Sequence, residues 1–303
     1  MLAKKVSIIM NCYNGEKYLH ESLNSVINQN FKNWELIFFD NCSTDKSKII
    51  CKEFKDKRIK YFRSTKKIKL GLARKIALSK IKGNFLVFLD VDDIWNKNKL
   101  SKQIKCFKNP KIGFSISNSI FFNENKKIYL YEKKKKFKKN VYNDLIENYF
   151  ISFDTVMINK LFLKKLDHQF DQKFNVIHDM DLLIRLSAIC EMNYLPFALS
   201  KWRMSTESDS YNKFGQIINE KKLFIKKISK NNKKNKDFFN SKIKYMDNLY
   251  RQEILYLLTK KNFLKLFILI KKLKINLKNF ILVLIVFFPF KKFIFNNILN
   301  LKY

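Results

Sequence analysis

Three acidic residues stand together directly after an apolar run, NFLVFL (84–89), that predicts a buried strand. Like charges this close repel, and burial raises the cost, so carboxylates paired as Asp90 and Asp92 are typical of a divalent-cation site. Mg²⁺ and Mn²⁺ prefer oxygen ligands and are usually completed by substrate phosphates. We assign Asp92 to the metal and Asp90 to the metal or a ribose hydroxyl. Asp93 is assigned to structure, as the cap of a helix expected over residues 94–107.

Two more polar clusters follow predicted strands. NCYNG (11–15) places Tyr13 after the first apolar run, where an aromatic ring can stack on a base. Asp40 and Asn41 end the second run and can hydrogen-bond a base edge or a ribose. Arg74, near a helix start, can meet a diphosphate. Taken singly, packing explains Tyr13 and a turn explains Asp40 and Asn41, but three clusters at strand ends in this order favour a nucleotide site.

These clusters need a scaffold that brings strand ends to one edge. Apolar runs and helical patterns alternate over roughly the first hundred residues. Strands are expected at 6–10, 34–39, 58–62 and 84–89, and helices at 16–29, 43–54 and 70–81. Ser43 and Thr44 are the expected N-caps of the second helix. The alternation predicts an α/β, Rossmann-like, mostly parallel sheet flanked by helices, with ligands at the carboxyl ends of its strands.

The rest of the chain is less regular. The pattern predicts strands at 111–123 and 153–159, helices at 141–150 and 178–190, a basic loop at 133–139 and a linker or exposed turn at 226–238. About the last forty residues mix bulky apolar residues with lysine, and their longest apolar run, Phe280 to Phe290, has eleven residues. A bilayer-spanning helix needs about 20, so we expect helices lying in a membrane interface, with lysines toward lipid phosphates. A helical cap packed on the core or on a second subunit is the alternative.

Charge and cysteine usage bound the partners and the compartment. The chain has 62 Lys+Arg against 26 Asp+Glu, a formal net charge of +36. This excess indicates either an anionic partner, such as a membrane face, or a composition biased by an AT-rich genome. The sequence has no RRM or zinc-finger signature, so no nucleic acid is expected as a partner. Five single cysteines, none in a CxxC, argue against disulfides or structural zinc and fit a reducing, cytoplasmic compartment.

Three segments, in this order, resemble the family 2 glycosyltransferases, which have the GT-A fold. They are residues 6–47, residues 71–95 with LDVDDIW at their end, and residues 170–186 with IHDMDLL at their centre. The resemblance covers most of residues 4–104 and returns around 150–205. It implies that the chain binds a nucleoside-diphosphate sugar together with Mn²⁺ or Mg²⁺. It also implies transfer of the sugar with inversion at the anomeric carbon.

The resemblance assigns roles to single residues. Tyr13 would stack on the base of the donor. Asp179 would be the catalytic base, in the pair His178-Asp179 where the family has Glu-Asp. Asn41 stands where the family usually has an Asp that recognises uracil. The side-chain carbonyl of an Asn can still accept from the imide N–H of uracil, so UDP remains the expected nucleotide. The replacement weakens this expectation and leaves dTDP and GDP open. The other donor-site residues that it implies are Asn11, Asn14, Glu16, Asp40, Arg74 and Asp90, with Asp92 and Asp90 on the metal.

The resemblance also divides the chain. The expected parts are a GT-A domain at 1–215, with nucleotide-sugar binding in 1–104 and the acceptor and catalytic base in 105–215, and a helical, basic and hydrophobic C-terminal extension at 216–303. Residues 201–210 (KWRMSTESDS) would form a flexible loop over the donor. Trp202 and Arg203 would then contact the diphosphate or the acceptor.

These expectations combine into one function. The chain would transfer a hexosyl or N-acetylhexosaminyl group to a hydroxyl of a glycan or lipid-linked acceptor, in bacterial surface polysaccharide or lipopolysaccharide synthesis. It would lie on the cytoplasmic face of an anionic membrane. One alternative is a metal-dependent phosphohydrolase, although Asp92 is not followed by the Gly-Thr typical of such sites. The other is a non-catalytic basic membrane-binding protein derived from a transferase.

Overall fold

The apolar runs of the amino-terminal part form four parallel strands. In the computed structural model they are β1 (Val6–Cys12), β2 (Trp34–Asp40), β3 (Ile59–Arg63) and β4 (Phe85–Phe88). They lie side by side in the order β3-β2-β1-β4. Every residue of β2 and of β4 is buried, which is why these strands appear in the sequence as continuous apolar runs.

The structure describes residues 4–123, 128–130, 137–205, 212–232, 235–260, 263–270 and 272–273. The chain falls into two compact units. The first comprises Met1–Tyr142 and Phe150–Ser205, and the second comprises Asn143–Tyr149 and Thr206–Tyr303. The first unit contains the whole described sheet and every residue to which the sequence assigns a role in the site.

Three helices connect the parallel strands. They are α1 (Glu16–Ile27), α2 (Ser47–Glu53) and α3 (Leu70–Leu78). Helix α1 buries Leu19, Leu23 and Val26 in one core cluster with side chains of β1, β2 and β4. Full burial of such a side chain contributes about 1.5–3 kcal/mol, so this face fixes the helix on the sheet.

Helix α2 begins at Ser47, later than expected. The N–H of Ser43 donates to Asp40 Oδ1 (2.7 Å), and the Ser43 hydroxyl accepts from the N–H of Asn14 (3.0 Å). The N–H of Thr44 donates to Asn14 Oδ1 (2.9 Å). The prediction that Ser43 and Thr44 cap this helix is therefore wrong, because both residues instead tie together the loops that follow β1 and β2.

Five further strands extend the sheet, and most of their pairings are antiparallel. They are β5 (Ile94–Trp95), β6 (Ile112–Phe122), β7 (Ile128–Leu130), β8 (Met157–Asn159) and β9 (Glu191–Arg203). Beyond β4 the order is β8-β6-β9-β5, with β7 on β6, and β6 and β9 are parallel. The helices of this stretch are α4 (Lys99–Gln103), α5 (Tyr142–Glu147), α6 (Lys160–Leu163) and α7 (His178–Ser187). The predicted α/β class is confirmed, with an antiparallel part that the alternation of strands and helices did not indicate.

The segment after the acidic residues begins as a strand and not as a helix. Strand β5 pairs with the end of β9, at Lys201 and Ser200. Helix α4 starts only at Lys99, with Asn98 at its N-cap position. The prediction that Asp93 caps this helix is wrong, because Asp93 Oδ1 accepts the N–H of Arg203 (3.1 Å).

One buried carboxylate ties four segments together at the amino end of the parallel strands. Glu35 of β2 accepts a hydrogen bond from the hydroxyl of Ser7 (2.7 Å) and from the N–H of Lys82 (2.5 Å). The ammonium groups of Lys60 (2.6 Å) and Lys5 (3.2 Å) also donate to it. Burial alone raises the pKa of Glu35, but these donors, Lys60 first, outweigh burial and lower the pKa to about 2. The carboxylate is thus an ionised anchor within the sheet.

The described part of the second unit beyond residue 206 is mostly helical. The helices there are α8 (Phe214–Asn231), α9 (Lys236–Thr259) and α10 (Phe263–Ile270). The hydroxyl of Tyr245 donates to the carbonyl of Lys221 (2.9 Å), which links α9 to α8. An apolar cluster between α9 and α10 contains Ile254, Leu257, Leu266 and Leu269.

The stretch predicted as a linker, 226–238, is mostly helical. Helix α8 continues to Asn231 because Ile225 and Ile228 are buried and extend its apolar face past the lysines. Helix α9 then begins at Lys236. The linker prediction is therefore wrong for most of this stretch.

Two predictions concern residues that lie partly or wholly outside the described ranges. The run Phe280–Phe290, expected in a membrane interface, lies outside the described residues, as do residues 133–136 of the predicted basic loop. Within the described ranges, no helix is both long enough and apolar enough to cross a membrane.

Candidate active site

The loops that follow β1, β2 and β4 meet at the carboxyl edge of the parallel strands. The N–H of Asn41, after β2, donates to the carbonyl of Cys12 at the end of β1 (2.7 Å). The hydroxyl of Ser22 in α1 donates to the carbonyl of Val91, between the two acidic residues (2.8 Å). The structure therefore brings the three polar clusters of the sequence to one edge, where open α/β sheets bind ligands.

Arg74 links the acidic pair to helix α7. Its side chain is 4% exposed, and Nη2 donates to Asp90 Oδ1 (3.0 Å). The guanidinium lies over the ring of Phe153 (4.8 Å) and contacts Nε2 of His178 through Nη1. A buried guanidinium needs such partners because its charge is costly away from water. Arg74 thus connects Asp90 to the first residue of α7, one position before Asp179.

The contact with Arg74 fixes the protonation of His178. A guanidinium has only donors, so Nε2 of His178 accepts and the ring proton lies on Nδ1, which faces the carbonyl of Asn175 (3.1 Å). Burial, followed by the charge of Arg74, holds the pKa of His178 well below its usual value. A neutral imidazole therefore accepts from Arg74 at the position where the family has a glutamate.

Asp179 lies in the first turn of α7. Burial raises the pKa of its carboxyl group, and the charge of Arg74 acts in the opposite direction. A raised pKa makes a carboxylate a stronger base, which suits removal of a proton from a hydroxyl. The location and the environment of Asp179 are thus those of a candidate general base.

Asp92 and Asp90 have the properties of a divalent-cation site. Burial, and next the charge of Asp90, raise the pKa of Asp92 to about 6. A carboxylate whose ionisation is opposed by a neighbouring carboxylate is stabilised by a shared cation, and oxygen ligands suit Mg²⁺ and Mn²⁺. Among the described residues, no group of three or more His, Cys, Asp or Glu side chains gathers as a metal cage. The residues present therefore fit a cation that takes its other ligands from substrate and water.

Arg203, at the end of β9, holds the acidic loop. Its Nε donates to the carbonyl of Asp92 (3.0 Å), and its Nη2 donates to Glu21 of α1 (2.6 Å). The guanidinium lies between the rings of Tyr18 (4.0 Å) and Phe122 (4.4 Å). The sequence predicts that Arg203 contacts the diphosphate or the acceptor, but its Nε and Nη2 atoms donate to other residues of the protein.

The first three residues of the expected flexible loop, 201–203, form the end of strand β9. Trp202 packs its ring against Phe121 (4.8 Å) within the β6–β9 pair. Residues 206–210 lie outside the described residues. The prediction of a loop is therefore wrong for residues 201–203.

Asp40 and Asn41 shape the loops at the edge of the sheet. Asp40 is fully buried, and its carboxylate accepts from the hydroxyl of Tyr61 (2.5 Å) and the N–H of Ser43 (2.7 Å). The side-chain amide of Asn41 bonds both main-chain groups of one residue: Nδ2 donates to the carbonyl of Ile68 (2.8 Å), and Oδ1 accepts the N–H of Ile68 (3.0 Å). Both side chains thus hold backbone in place.

Asn14 and Glu16 join the loop after β1 to the loop after β2. Asn14 has a positive φ of 53°, a conformation that asparagine tolerates better than most residues. In this conformation its side chain reaches Thr44, as described above. Glu16 accepts the N–H of Lys46 (2.8 Å), and its own N–H donates to Asp45 (2.9 Å). The two loops are therefore held to each other from both sides.

Tyr13 and Asn11 present groups toward this edge. Tyr13 is 42% exposed, with the ammonium of Lys67 3.5 Å from its ring centroid. Both polar atoms of the Asn11 side-chain amide are buried and make no hydrogen bond within the described structure. Such orphaned atoms are costly, so they indicate an external partner such as a ligand or water.

Two contacts within the site were not predicted from the sequence. Arg203 and Asp93 are separated by 110 positions, and Arg74 and His178 by 104, so no local pattern joins them. The available signals were Arg203 after an apolar stretch and Arg74 in a mainly apolar helix. Neither signal indicates a partner.

The fold and the site together define a class. A parallel sheet with polar loops at its carboxyl edge and an acidic pair after β4 is the arrangement of the GT-A glycosyltransferases. The chain aligns with the crystal structure of S. aureus TarS 1–349 in complex with UDP at a TM-score of 0.65 and 21% identity, over 82% of this chain and 71% of that one. It aligns with the mannosyltransferase PcManGT from Pyrobaculum calidifontis, in complex with GDP-Man and Mn²⁺, at a TM-score of 0.59 and 13% identity, over 82% and 71%.

The chain belongs to glycosyl transferase family 2, whose model matches residues 7–167. A relative from Escherichia coli, UDP-Glc:alpha-D-GlcNAc-diphosphoundecaprenol beta-1,3-glucosyltransferase WfgD, is 34% identical over 216 residues, which are 70% of this chain and 82% of that protein. The predicted family, fold and enzyme class are confirmed. The chain is a glycosyltransferase, and the phosphohydrolase and non-catalytic alternatives are wrong.

Proposed function

We propose that this enzyme transfers a sugar from a UDP-sugar to a hydroxyl of a lipid-linked glycan, in bacterial surface polysaccharide or lipopolysaccharide synthesis. The observation that carries the proposal is the contact of Arg74 with both Asp90 and His178, which joins the acidic pair to the helix of Asp179. The name of the E. coli relative gives a UDP-glucose donor and a diphosphoundecaprenol-linked acceptor, which supports both substrate classes.

The acidic pair is proposed to hold Mn²⁺ or Mg²⁺, with Asp92 as the main ligand and Asp90 as the second ligand or a ribose partner. When bound, the cation neutralises charge on the leaving nucleoside diphosphate. The Mn²⁺ in the complex of the structurally similar mannosyltransferase supports a divalent metal. Arg203 holds the main chain of Asp92, so the carboxylate is positioned before substrate arrives.

Asp179 is proposed as the catalytic base. Its carboxylate accepts the proton of the acceptor hydroxyl while the hydroxyl oxygen forms a bond to the anomeric carbon of the donor. The bond from that carbon to the diphosphate oxygen breaks on the opposite face, so the configuration inverts. Arg74 and His178 fix the start of α7, which keeps Asp179 in place for this attack.

The loops after β1 and β2 are proposed to bind the nucleoside. Tyr13 offers its exposed ring for stacking on the base, and Asn11 offers an amide without a protein partner. Asp40 and Asn41 form the floor of this subsite through the bonds that hold their loops. Asn14 and Glu16 join those loops. We propose uracil as the base, because the name of the E. coli relative gives UDP-glucose as its donor.

A thermal-shift titration tests the donor and the metal. UDP with Mn²⁺ should raise the melting temperature of the wild type, more than dTDP or GDP, because ligands that bind the native state stabilise it. Asp92→Ala should lose the Mn²⁺-dependent part of the shift. Asp179→Asn should keep the shift but lose sugar transfer by about 10²–10⁴-fold.

Asp56→Asn is the control for these variants, because Asp56 binds Arg58 in a turn before β3 and has no role in the site. Its shift and its activity should equal those of the wild type. An Asp92→Ala protein that keeps its metal-dependent shift, or an Asp179→Asn protein that transfers sugar at the wild-type rate, would show that the assigned residues are wrong.

We also propose a peripheral location on the inner face of the cytoplasmic membrane. The net charge of +36 and the lysine-rich apolar sequence beyond residue 262 support it. The full chain should sediment with phosphatidylglycerol vesicles at low salt and not with phosphatidylcholine vesicles. Equal recovery in the supernatant with both vesicles would exclude this location.

A further inference from the structure

A pocket of about 430 Å³ lies in the first unit, apart from the acidic pair. This volume is within the range of ligand-binding pockets. Its polar lining residues are Asn96, Asn98, Lys102 and Asn118, and the segment Pro196–Leu199 of β9 forms the rest of the wall. The lining residues include three side-chain amides and one ammonium, with no carboxylate and no arginine.

An irregularity in β9 places an aromatic ring at this pocket. Between Ser117 and Asn118 of β6, the pairing skips two residues of β9, which are Pro196 and Phe197. Proline has no N–H to give to a ladder and is found at such bulges. Bulges turn side chains out of the regular alternation. Phe197 is accordingly 49% exposed although it lies within a long strand.

The ring of Phe197 is held in a defined position. The ammonium of Lys102 lies 3.4 Å from its centroid, a cation–π contact on one face. Asn118, beside the bulge, is 5% exposed, so part of the polar wall is built into the fold and not carried on surface side chains. The pocket therefore combines a half-exposed aromatic ring with a polar wall that includes one buried amide.

The chemistry of the lining selects a class of ligand. A metal ion prefers carboxylate or imidazole ligands, and a phosphate group prefers several cationic donors, and these lining residues offer neither set. Side-chain amides are both donors and acceptors, which matches vicinal hydroxyl groups. An aromatic ring accepts the apolar C–H face of a sugar through dispersion and weak C–H contacts. A neutral carbohydrate has both properties.

We infer that this pocket, the Phe197 pocket, binds a sugar unit of the acceptor or product glycan, at a site separate from that of the donor. Asn96 follows Asp92 by four residues, so the Cα atoms of the two are at most about 14 Å apart. Strand β5, between them, joins the pocket to the acidic loop. The inference goes beyond the proposed function, because it requires a bound glycan and no particular donor.

Saturation-transfer NMR titrations with laminaritetraose, chitotetraose and maltotetraose test the inference. The full wild-type chain should bind at least one of them saturably. Phe197→Ala should weaken that binding about two- to tenfold, the range of aromatic contacts, and Phe197→Tyr should restore it. Phe239→Ala is the matched control, because Phe239 is an exposed phenylalanine (59%) of the second unit, and its binding should equal that of the wild type.

The same samples separate this inference from the proposed function. The thermal shift with UDP and Mn²⁺ should be unchanged in Phe197→Ala, which also shows that the variant is folded. Absence of saturable binding by all three oligosaccharides, or equal binding by wild type and Phe197→Ala, would overturn the Phe197 pocket as a glycan site. Self-association in sedimentation velocity that is lost in Phe197→Ala would overturn it in favour of a second copy of the chain. If UDP and Mn²⁺ do not raise the melting temperature of the wild type, that result counts against the proposed donor and not against the Phe197 pocket.

Discussion

Replacing Arg203 by lysine should weaken metal binding without unfolding the protein. The guanidinium uses two nitrogens at once, Nε on the carbonyl of Asp92 (3.0 Å) and Nη2 on Glu21 (2.6 Å), between the rings of Tyr18 and Phe122. A lysine ammonium is a compact charge and cannot span both partners. The variant therefore leaves either the carbonyl of Asp92, the proposed metal ligand, or the carboxylate of Glu21 on α1 without its donor.

The magnitude follows from the hydrogen bond that lysine cannot replace. A hydrogen bond from a charged donor contributes about 1.5–3 kcal/mol, which corresponds to about ten- to hundredfold in an equilibrium constant. Groups that orient metal ligands have effects of this size on metal affinity. In the presence of UDP, Arg203→Lys should bind Mn²⁺ about ten- to hundredfold more weakly than the wild type. Because the catalytic groups remain, a higher Mn²⁺ concentration should restore most of the activity.

Isothermal titration of Mn²⁺ into the protein with UDP measures this affinity. Arg58→Lys is the matched control, because Arg58 also pairs with a carboxylate, on Asp56 (2.6 Å), and lies over an aromatic ring, on Trp34 (3.7 Å), at the amino end of the sheet. Its Mn²⁺ affinity should equal that of the wild type. Wild-type affinity in Arg203→Lys would refute the reasoning, and so would equal weakening in both variants.

Two further predictions concern the base site and acid stability. Tyr13→Ala should bind UDP about 5- to 100-fold more weakly, since stacking of a base on an aromatic ring contributes about 1–3 kcal/mol, and Tyr13→Phe should retain binding. Unchanged UDP affinity of Tyr13→Ala in a thermal-shift titration would exclude stacking. Glu35→Gln should lower the free energy of unfolding at neutral pH by up to about 3 kcal/mol, because the pKa of Glu35 falls on folding from 4.5 to about 2. This contribution is complete above pH 4.5 and is lost as the pH falls toward 2. The difference in unfolding free energy between the wild type and Glu35→Gln, measured by urea unfolding, should therefore shrink over this range, whereas the difference between the wild type and the exposed control Glu53→Gln should not change with pH. A difference for Glu35→Gln that stays constant with pH would contradict the prediction.

The parallel half of the sheet could be predicted from local sequence. Most residues of β1, β2 and β4 are buried, so these strands are mainly apolar, and the boundaries expected for all four parallel strands differ from the observed ones by few residues. Strand β5 could not be predicted, because its two residues, Ile94 and Trp95, form a strand only through pairing with residues 200–201. The start of α2 was predicted too early because the Ser43 hydroxyl, which could cap a helix, instead accepts the N–H of Asn14.

For the site, the sequence indicated residue types but not their partners. Asp90 and Asp92 were identified from their position after an apolar strand. The pKa of His178 is lowered first by burial and then by the charge of Arg74, and Arg203 is held by Glu21. The two residues of each pair are distant in sequence. Whether an arginine contacts substrate or supports a loop is decided by burial and by which carboxylates are within reach. Those quantities exist only in the folded chain.

The bond between Asp93 and Arg203 spans 110 positions and sets an order of events during synthesis. Chains grow at about 5–20 residues per second, so roughly 5–20 s pass between emergence of the acidic residues and of the strand that supports them. During that interval β1 to β4 can pair, and β6 and β8 emerge and can add to the sheet, but the edge of β6 has no neighbour until β9 emerges. A product truncated before residue 191 would carry the whole acidic motif and none of the support of β9. Such a fragment would expose an apolar sheet edge, the kind of surface that chaperones and proteases recognise.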